Sequence, residues 1–204
     1  MLSKEKINEI NNLAEKLISE NGISNLNISQ LCFSASISKK TFYKYLGNKK
    51  IFIEKYYLNM LRKAYIDVIQ IIQERNSFFD KFEKISQLVE KRVPLFNNKA
   101  MGELKNNYPE VSLKINYFKS NKIIPLLTLL IAKAQQRKII NDFDPQILIN
   151  IFFGSISTIY YEQNNFIEIQ KTDLKFREVF EILLGGILTK KGKSFLKHKL
   201  VSIN

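Results

Sequence analysis

The fold is decided by a short basic stretch, SISKKTFYKYLGNKK, residues 36–50. It carries five lysines, three aromatics and no acid. Ser38 has the chemistry of a helix N-cap and Gly47 that of a helix stop. Between them, Lys39 to Leu46 spans about two turns. A core helix would not expose this many lysines, and a flexible tail would not place Phe42, Tyr43 and Tyr45 among them. With Phe42 and Ile37 turned inward against Leu13, Leu17 and Leu31, the side chains of Lys39, Lys40, Tyr43 and Lys44 share the outward face. Lysines on such a face can meet phosphates or guanine edges, and a tyrosine hydroxyl can bond a phosphate while its ring packs.

The flanking segments extend this pattern. Apolar residues Ile7, Ile10, Leu13, Ala14, Leu17 and Ile18 recur at helical spacing and predict a first helix over about 4–20, closed by Asn21-Gly22. Asn27 caps a second, short helix to about Ser34 that buries Ile28, Leu31 and Cys32. Residues 35–37 form a tight turn into the quoted stretch. Two short helices joined in this way make a helix-turn-helix, whose second helix enters the DNA major groove. Asn48 then opens a long fourth helix toward Glu74.

Gly and Pro are scarce, at seven and four, and strand-like alternation is absent, so the whole chain reads as all-α with about nine helices. Further helices are expected from Ser77 to about Arg92 and from Pro109 to about Lys138 with a kink at Pro125. Two more run from Asp144-Pro145 to about Glu162 and from Asp173 to Lys191. The expected organisation is a helix-turn-helix domain over 1–50, a larger helical domain over 51–191, and a mobile basic tail over 192–204.

The bulk numbers narrow the function. The chain has 204 residues, a formal charge of +13 and a pI near 9.7, which favours a polyanionic partner. Cys32 is the single cysteine and His198 the single histidine. That inventory builds neither an intrachain disulfide nor a His/Cys zinc site, and it calls for no cofactor. No glycine-rich phosphate loop or positioned triad is present, so an enzyme is not expected. No apolar run approaches the roughly 20 residues of a bilayer span, and Met1 to Glu20 does not resemble a signal peptide. The expected location is the cytoplasm.

Residues 7–56 resemble the DNA-binding region of TetR-type transcriptional regulators. The resemblance rests on GISNLNISQLC and ASISKKTFYKYLGNKKIF. Gly22 stands where that family closes its first helix, Asn27 where it opens the second, and Cys32 at a small-residue position. Then follow Ala35-Ser36-Ile37-Ser38, Thr41, Phe42-Tyr43, Leu46 and Lys49. Ser36 replaces the usual Gly, at a cost of about 1 kcal/mol if its φ is positive, and Leu46 replaces the usual Phe. The resemblance implies DNA contacts from Asn27, Ser29, Ser38, Lys39, Lys40, Thr41, Tyr43, Lys44 and Lys49. Lys39 and Lys40 would read bases, Thr41 and Tyr43 would hold phosphates, and Lys49 would clamp the backbone.

The same resemblance implies a homodimer on a palindromic operator, probed by one reading helix per subunit. ILINIFFGSISTIYY (147–161) is apolar almost all round, and the last helix carries a matching stripe, so these two helices suit the dimer face. The resemblance also implies a small-molecule effector whose binding releases DNA, as in a repressor. Its candidate lining is aromatic: Phe78, Phe82, Phe96, Tyr108, Tyr117, Phe118, Phe152 and Tyr160. Such a lining suits an apolar ligand. The competing reading is a helical interaction or membrane-surface protein using its basic face. Against it, no helix pairs a wide apolar face with a uniformly basic one.

Overall fold

A computed structural model describes residues 2–92, 98–161 and 173–201. The helices are α1 (Lys4–Asn21), α2 (Ile28–Ser34), α3 (Lys39–Leu46), α4 (Lys49–Gln73), α5 (Phe78–Arg92), α6 (Asn98–Asn107), α7 (Pro109–Phe118), α8 (Ile124–Gln136), α9 (Pro145–Tyr161), α10 (Asp173–Ile187) and α11 (Lys190–Val201). No strand occurs among the described residues, and no described helix is long and apolar enough to cross a membrane. The all-α expectation holds, with eleven α-helices among the described residues where about nine helices were expected in the chain.

The helix starts follow from side-chain caps. Ser3 Oγ accepts from the Lys6 amide at 3.2 Å, and Asn48 Oδ1 accepts from the Ile51 amide at 2.9 Å. At α5, Ser77 Oγ accepts from the Asp80 amide while Asp80 Oδ2 accepts from the Ser77 amide, a reciprocal pair that satisfies two orphan donors. Asp144 Oδ1 accepts from the Gln146 amide at 2.7 Å, with Pro145 as the first residue of α9.

The chain divides into two compact units, one of residues 1–64 with 94–119, the other of 65–93 with 120–204. In the first, α1 buries Ile10, Ala14 and Ile18 of the expected stripe, while Leu13 and Leu17, expected against Phe42 and Ile37, are only half-buried. The cause is the helical period: 10, 14 and 18 align at spacing four on one line of the helix. An aromatic chain runs on from α3 into α4. Phe42 packs on Phe52 with centroids 5.2 Å apart, Phe52 on Tyr56 at 6.4 Å, and Tyr56 edge-on to Tyr57 at 5.3 Å. Helices α6 and α7 belong to this same unit and bury Ala100, Leu104, Val111 and Ile115. Two ion pairs join α7 to α4: Lys50 to Glu110 at 2.5 Å and Lys114 to Glu54 at 2.6 Å. The lysine holds the Glu110 carboxyl below the usual range, chiefly through its hydrogen bond.

The second unit has its own core. Val68 from the end of α4 joins Phe78, Phe79 and Ile85 of α5, Leu127, Leu130 and Ala134 of α8, Ile149 of α9 and Leu184 of α10. Where the sequence suggests a kink at Pro125, a π-helical turn over Lys119–Ile123 stands directly before α8. Proline has no amide to donate and its ring presses on the carbonyl four residues back, so the wider register relieves both conflicts.

The last helix was expected to continue to Lys191. It stops at Ile187, Leu188 makes an antiparallel bridge with Ile140, and Thr189 starts a separate helix by accepting the Gly192 amide at 3.0 Å. The basic stretch read as a mobile tail is therefore helical through Val201, with Leu196 packed against the core. Gly192 makes this possible: a Cβ there would sit 2.1 Å from the Ile139 carbonyl oxygen.

Candidate nucleic-acid interface

Helix α3 is fixed from inside and bare outside. Phe42 is fully buried and Leu46 nearly so, anchoring the helix at two points one turn apart. Ser38 caps it, accepting the Thr41 amide at 3.0 Å, and Gly47 closes it with φ 82. A Cβ at Gly47 would lie 2.8 Å from Ile51 Cγ2, so glycine is needed there for both backbone and space. On the outer face Lys39, Lys40 and Lys44 are exposed and Tyr43 is half exposed. None of the three lysines forms an ion pair among the described residues. Lys44 Nζ lies 5.3 Å from the Tyr45 ring centroid, a cation–π contact that keeps the ammonium on the surface. The structure thus brings together the four side chains that the sequence placed on one face.

The other five expected contact residues divide differently. Ser29 is exposed on the first turn of α2. Asn27 is committed to capping α2, its Oδ1 accepting the amides of Ser29 at 2.8 Å and Gln30 at 3.2 Å. Ser38 and Thr41 share a hydroxyl hydrogen bond of 2.9 Å beside the α3 cap. Lys49, expected to reach outward, instead donates to the Ser24 carbonyl at 2.8 Å. Partial burial pushes its pKa down, against the pull of the Glu103 charge. These residues shape the head that presents α3.

The turn between α2 and α3 settles the Ser36 question. Ser36 has φ 52, in the left-handed region that glycine occupies without strain. The turn keeps its backbone bonds: the Ser36 amide donates to Phe33 O and the Ile37 amide to Cys32 O, each at 3.0 Å. Cys32 is buried, which pushes its thiol pKa up and makes it a packing residue.

Sequence reasoning missed α6 and what it holds. Glu103 Oε2 accepts the amides of Ile23 at 2.5 Å and Ser24 at 3.0 Å, and Asn107 Nδ2 donates to Ser24 Oγ at 3.0 Å. It also missed Phe33, an exposed ring on α2.

In the second unit a cavity of about 210 Å³ lies among α5, α8, α9 and α10. Its wall is almost wholly hydrocarbon, with Phe78, Phe82 and Phe152 beside Ile85, Leu130 and Ile149. Three of the eight expected lining residues are therefore brought together. Tyr108, Tyr117 and Phe118 belong to the first unit and do not line it; Tyr117 is 72% exposed. Phe96 and the side chain of Tyr160 lie outside the described residues. The lining is more aliphatic than expected because Ile and Leu of α8 and α9 fill the inward positions.

No protein-family model matches the chain. Its fold is similar to that of solved TetR-family transcriptional regulators. The fatty acid degradation regulator FadR from Bacillus halodurans superposes with a TM-score of 0.71 at 19% identity, covering 91% of this chain and 98% of that one. The ketosteroid transcriptional regulator KstR2 of Mycobacterium tuberculosis gives 0.66 at 11% identity, covering 93% and 98%. In sequence, the chain is 23% identical over 177 residues to YvaF of Bacillus subtilis, an uncharacterized HTH-type transcriptional regulator, covering 84% of this chain and 90% of the relative.

Proposed function

We propose that the chain is a TetR-type transcriptional regulator that binds a palindromic operator as a homodimer, represses transcription there, and is released by a small apolar effector. The observation that carries this reading is the outer face of α3, where Lys39, Lys40, Tyr43 and Lys44 stand together on a helix anchored by buried Phe42. Lys39 and Lys40 are placed to meet base edges, with Tyr43, Lys44 and Ser29 on phosphates. Asn27, Ser38, Thr41 and Lys49 support the head through the bonds described above.

One such helix reaches only a few base pairs, so a specific site needs two heads on a two-fold axis. The exposed Ile147 and Ile151 of α9 and Ile182 of α10 favour these helices as the face for a second copy. Beside them, Gly185 and Gly186 have open space where a Cβ would stand. The apolar cavity suits an effector held by its hydrocarbon part, consistent with a wall that offers almost no polar partner. The test is selection of duplexes from a random DNA library, followed by binding at two salt concentrations. The expected result is a two-fold-symmetric site bound less tightly at higher salt. Binding indifferent to both sequence and salt would overturn the reading.

A further inference from the structure

We propose that Glu103, on α6, is a positioning residue for DNA binding: its carboxylate fixes the α1–α2 turn and so sets the placement of α2 and α3 in the DNA-binding head. The inference rests on the reading of α3 as the DNA-contacting helix.

The contacts converge on one short turn. Ile23 is fully buried, and its amide donates to Glu103 Oε2 at 2.5 Å. A buried amide without an acceptor is costly, so this carboxylate is part of what lets the turn close. Ser24 is held at three atoms. Its amide donates to the same Oε2 at 3.0 Å, its carbonyl accepts from Lys49 Nζ at 2.8 Å, and its hydroxyl accepts from Asn107 Nδ2 at 3.0 Å. From there the chain has little freedom. The Leu26 amide donates to Ile23 O at 3.1 Å, and the next residue, Asn27, caps α2. α2 leads through the strained Ser36 turn into α3. A displacement at Ser24 therefore reaches the reading helix within a few residues, through a path bonded at each step.

Glu103 contributes from 80 residues away in sequence, so the turn's geometry depends on α6 being docked. Asn107, one turn further along α6, grips the same serine.

The charge of Glu103 separates this role from a direct one. A carboxylate close to a polyanion repels it, so deleting the charge on electrostatic grounds alone tightens DNA binding. Positioning has the opposite consequence: losing the acceptor releases the turn and weakens binding. Glu103→Gln removes the charge and keeps an oxygen able to accept both amides, whereas Glu103→Ala removes both.

The experiment uses the full-length chain and a duplex selected from a random library by the wild type. Affinity is measured across a salt series by fluorescence anisotropy, and amide hydrogen exchange at Ile23 and Ser24 is followed by NMR. Glu103→Ala is expected to bind that duplex at least tenfold more weakly with the salt slope unchanged, because no phosphate contact is lost. Its Ile23 and Ser24 amides should exchange faster. Glu103→Gln should stay within a few-fold of wild type in affinity and keep the protection. Alanine binding as tightly as wild type, or Ile23 protection unaltered by it, would overturn the proposal. So would a glutamine variant as weak as alanine, which would assign the effect to charge. Should alanine fail to fold, the glutamine variant and Asn107→Ala decide, the latter expected to weaken binding by a smaller factor at constant slope; full affinity in Asn107→Ala together with lost affinity in glutamine counts against it. If the wild type selects no duplex, the DNA-binding reading itself has failed, and the exchange data then report only whether Glu103 holds the turn.

Discussion

Replacing Ser36 by glycine should stabilise the protein. Ser36 sits at φ 52, where an L-residue carries roughly 1–2 kcal/mol of strain from its Cβ. Glycine removes that strain but adds unfolded-state entropy, costing about 0.5–1 kcal/mol. The side chain is exposed and the backbone bonds from Ser36 and Ile37 do not involve it, so little else changes. The net gain is about 0.5–1 kcal/mol. For a chain of this length that corresponds to roughly 1–4 °C in melting temperature. Urea and thermal unfolding followed by circular dichroism at 222 nm would measure it. Ser36→Ala is the control: it keeps a Cβ at positive φ, so it should show no gain. A glycine variant less stable than wild type, or an alanine variant equally stabilised, would refute the strain argument.

Two further substitutions test the core and the second unit. Tyr56 is buried, and its hydroxyl has no hydrogen-bond partner among the described residues. Burial, with the nearby Glu15 charge, raises its pKa, so it stays neutral at every ordinary pH. Tyr56→Phe should therefore raise stability by about 1 kcal/mol in urea titration, because it removes an unsatisfied polar atom; a loss of stability would reveal a partner for that hydroxyl. Ile182 is 71% exposed, so Ile182→Glu should leave the subunit's circular dichroism intact. At a two-fold interface the carboxylate would be buried twice, at several kcal/mol in total. Sedimentation velocity should then show a dimer becoming monomer with at least a hundredfold loss of operator affinity, and a variant that stays dimeric would remove α10 from the interface.

The α1–α3 segment was legible because its signals are local. Asn27, Ser38 and Asn48 cap, Gly22 and Gly47 stop, and each acts within a few residues of where it stands. α6 was not legible, since Gly102 interrupts a stretch with few apolar residues, and its fold depends on docking Ala100 and Leu104. The role of Glu103 spans 80 positions, and no periodicity encodes that. The bond from Lys49 to the Ser24 carbonyl was not legible for a related reason: the two residues stand 25 positions apart. The break at Leu188 had a readable signal in Thr189 and Gly192, three apart at a cap, but the apolar stripe of α10 masked it. The make-up of the cavity wall was not legible because aromatic side chains signal burial without saying toward which void they point.

The central claim is that Lys39, Lys40 and Lys44 face DNA from both copies of a dimer. The most direct measurement is the slope of log affinity against log salt concentration for a selected operator, in wild type and in Lys44→Ala. With Lys44 neutralising one phosphate in each protomer, the substitution, present twice per dimer, makes the slope shallower by about 2. A slope unchanged by the substitution, with affinity also unchanged, would place α3 away from DNA and contradict the account.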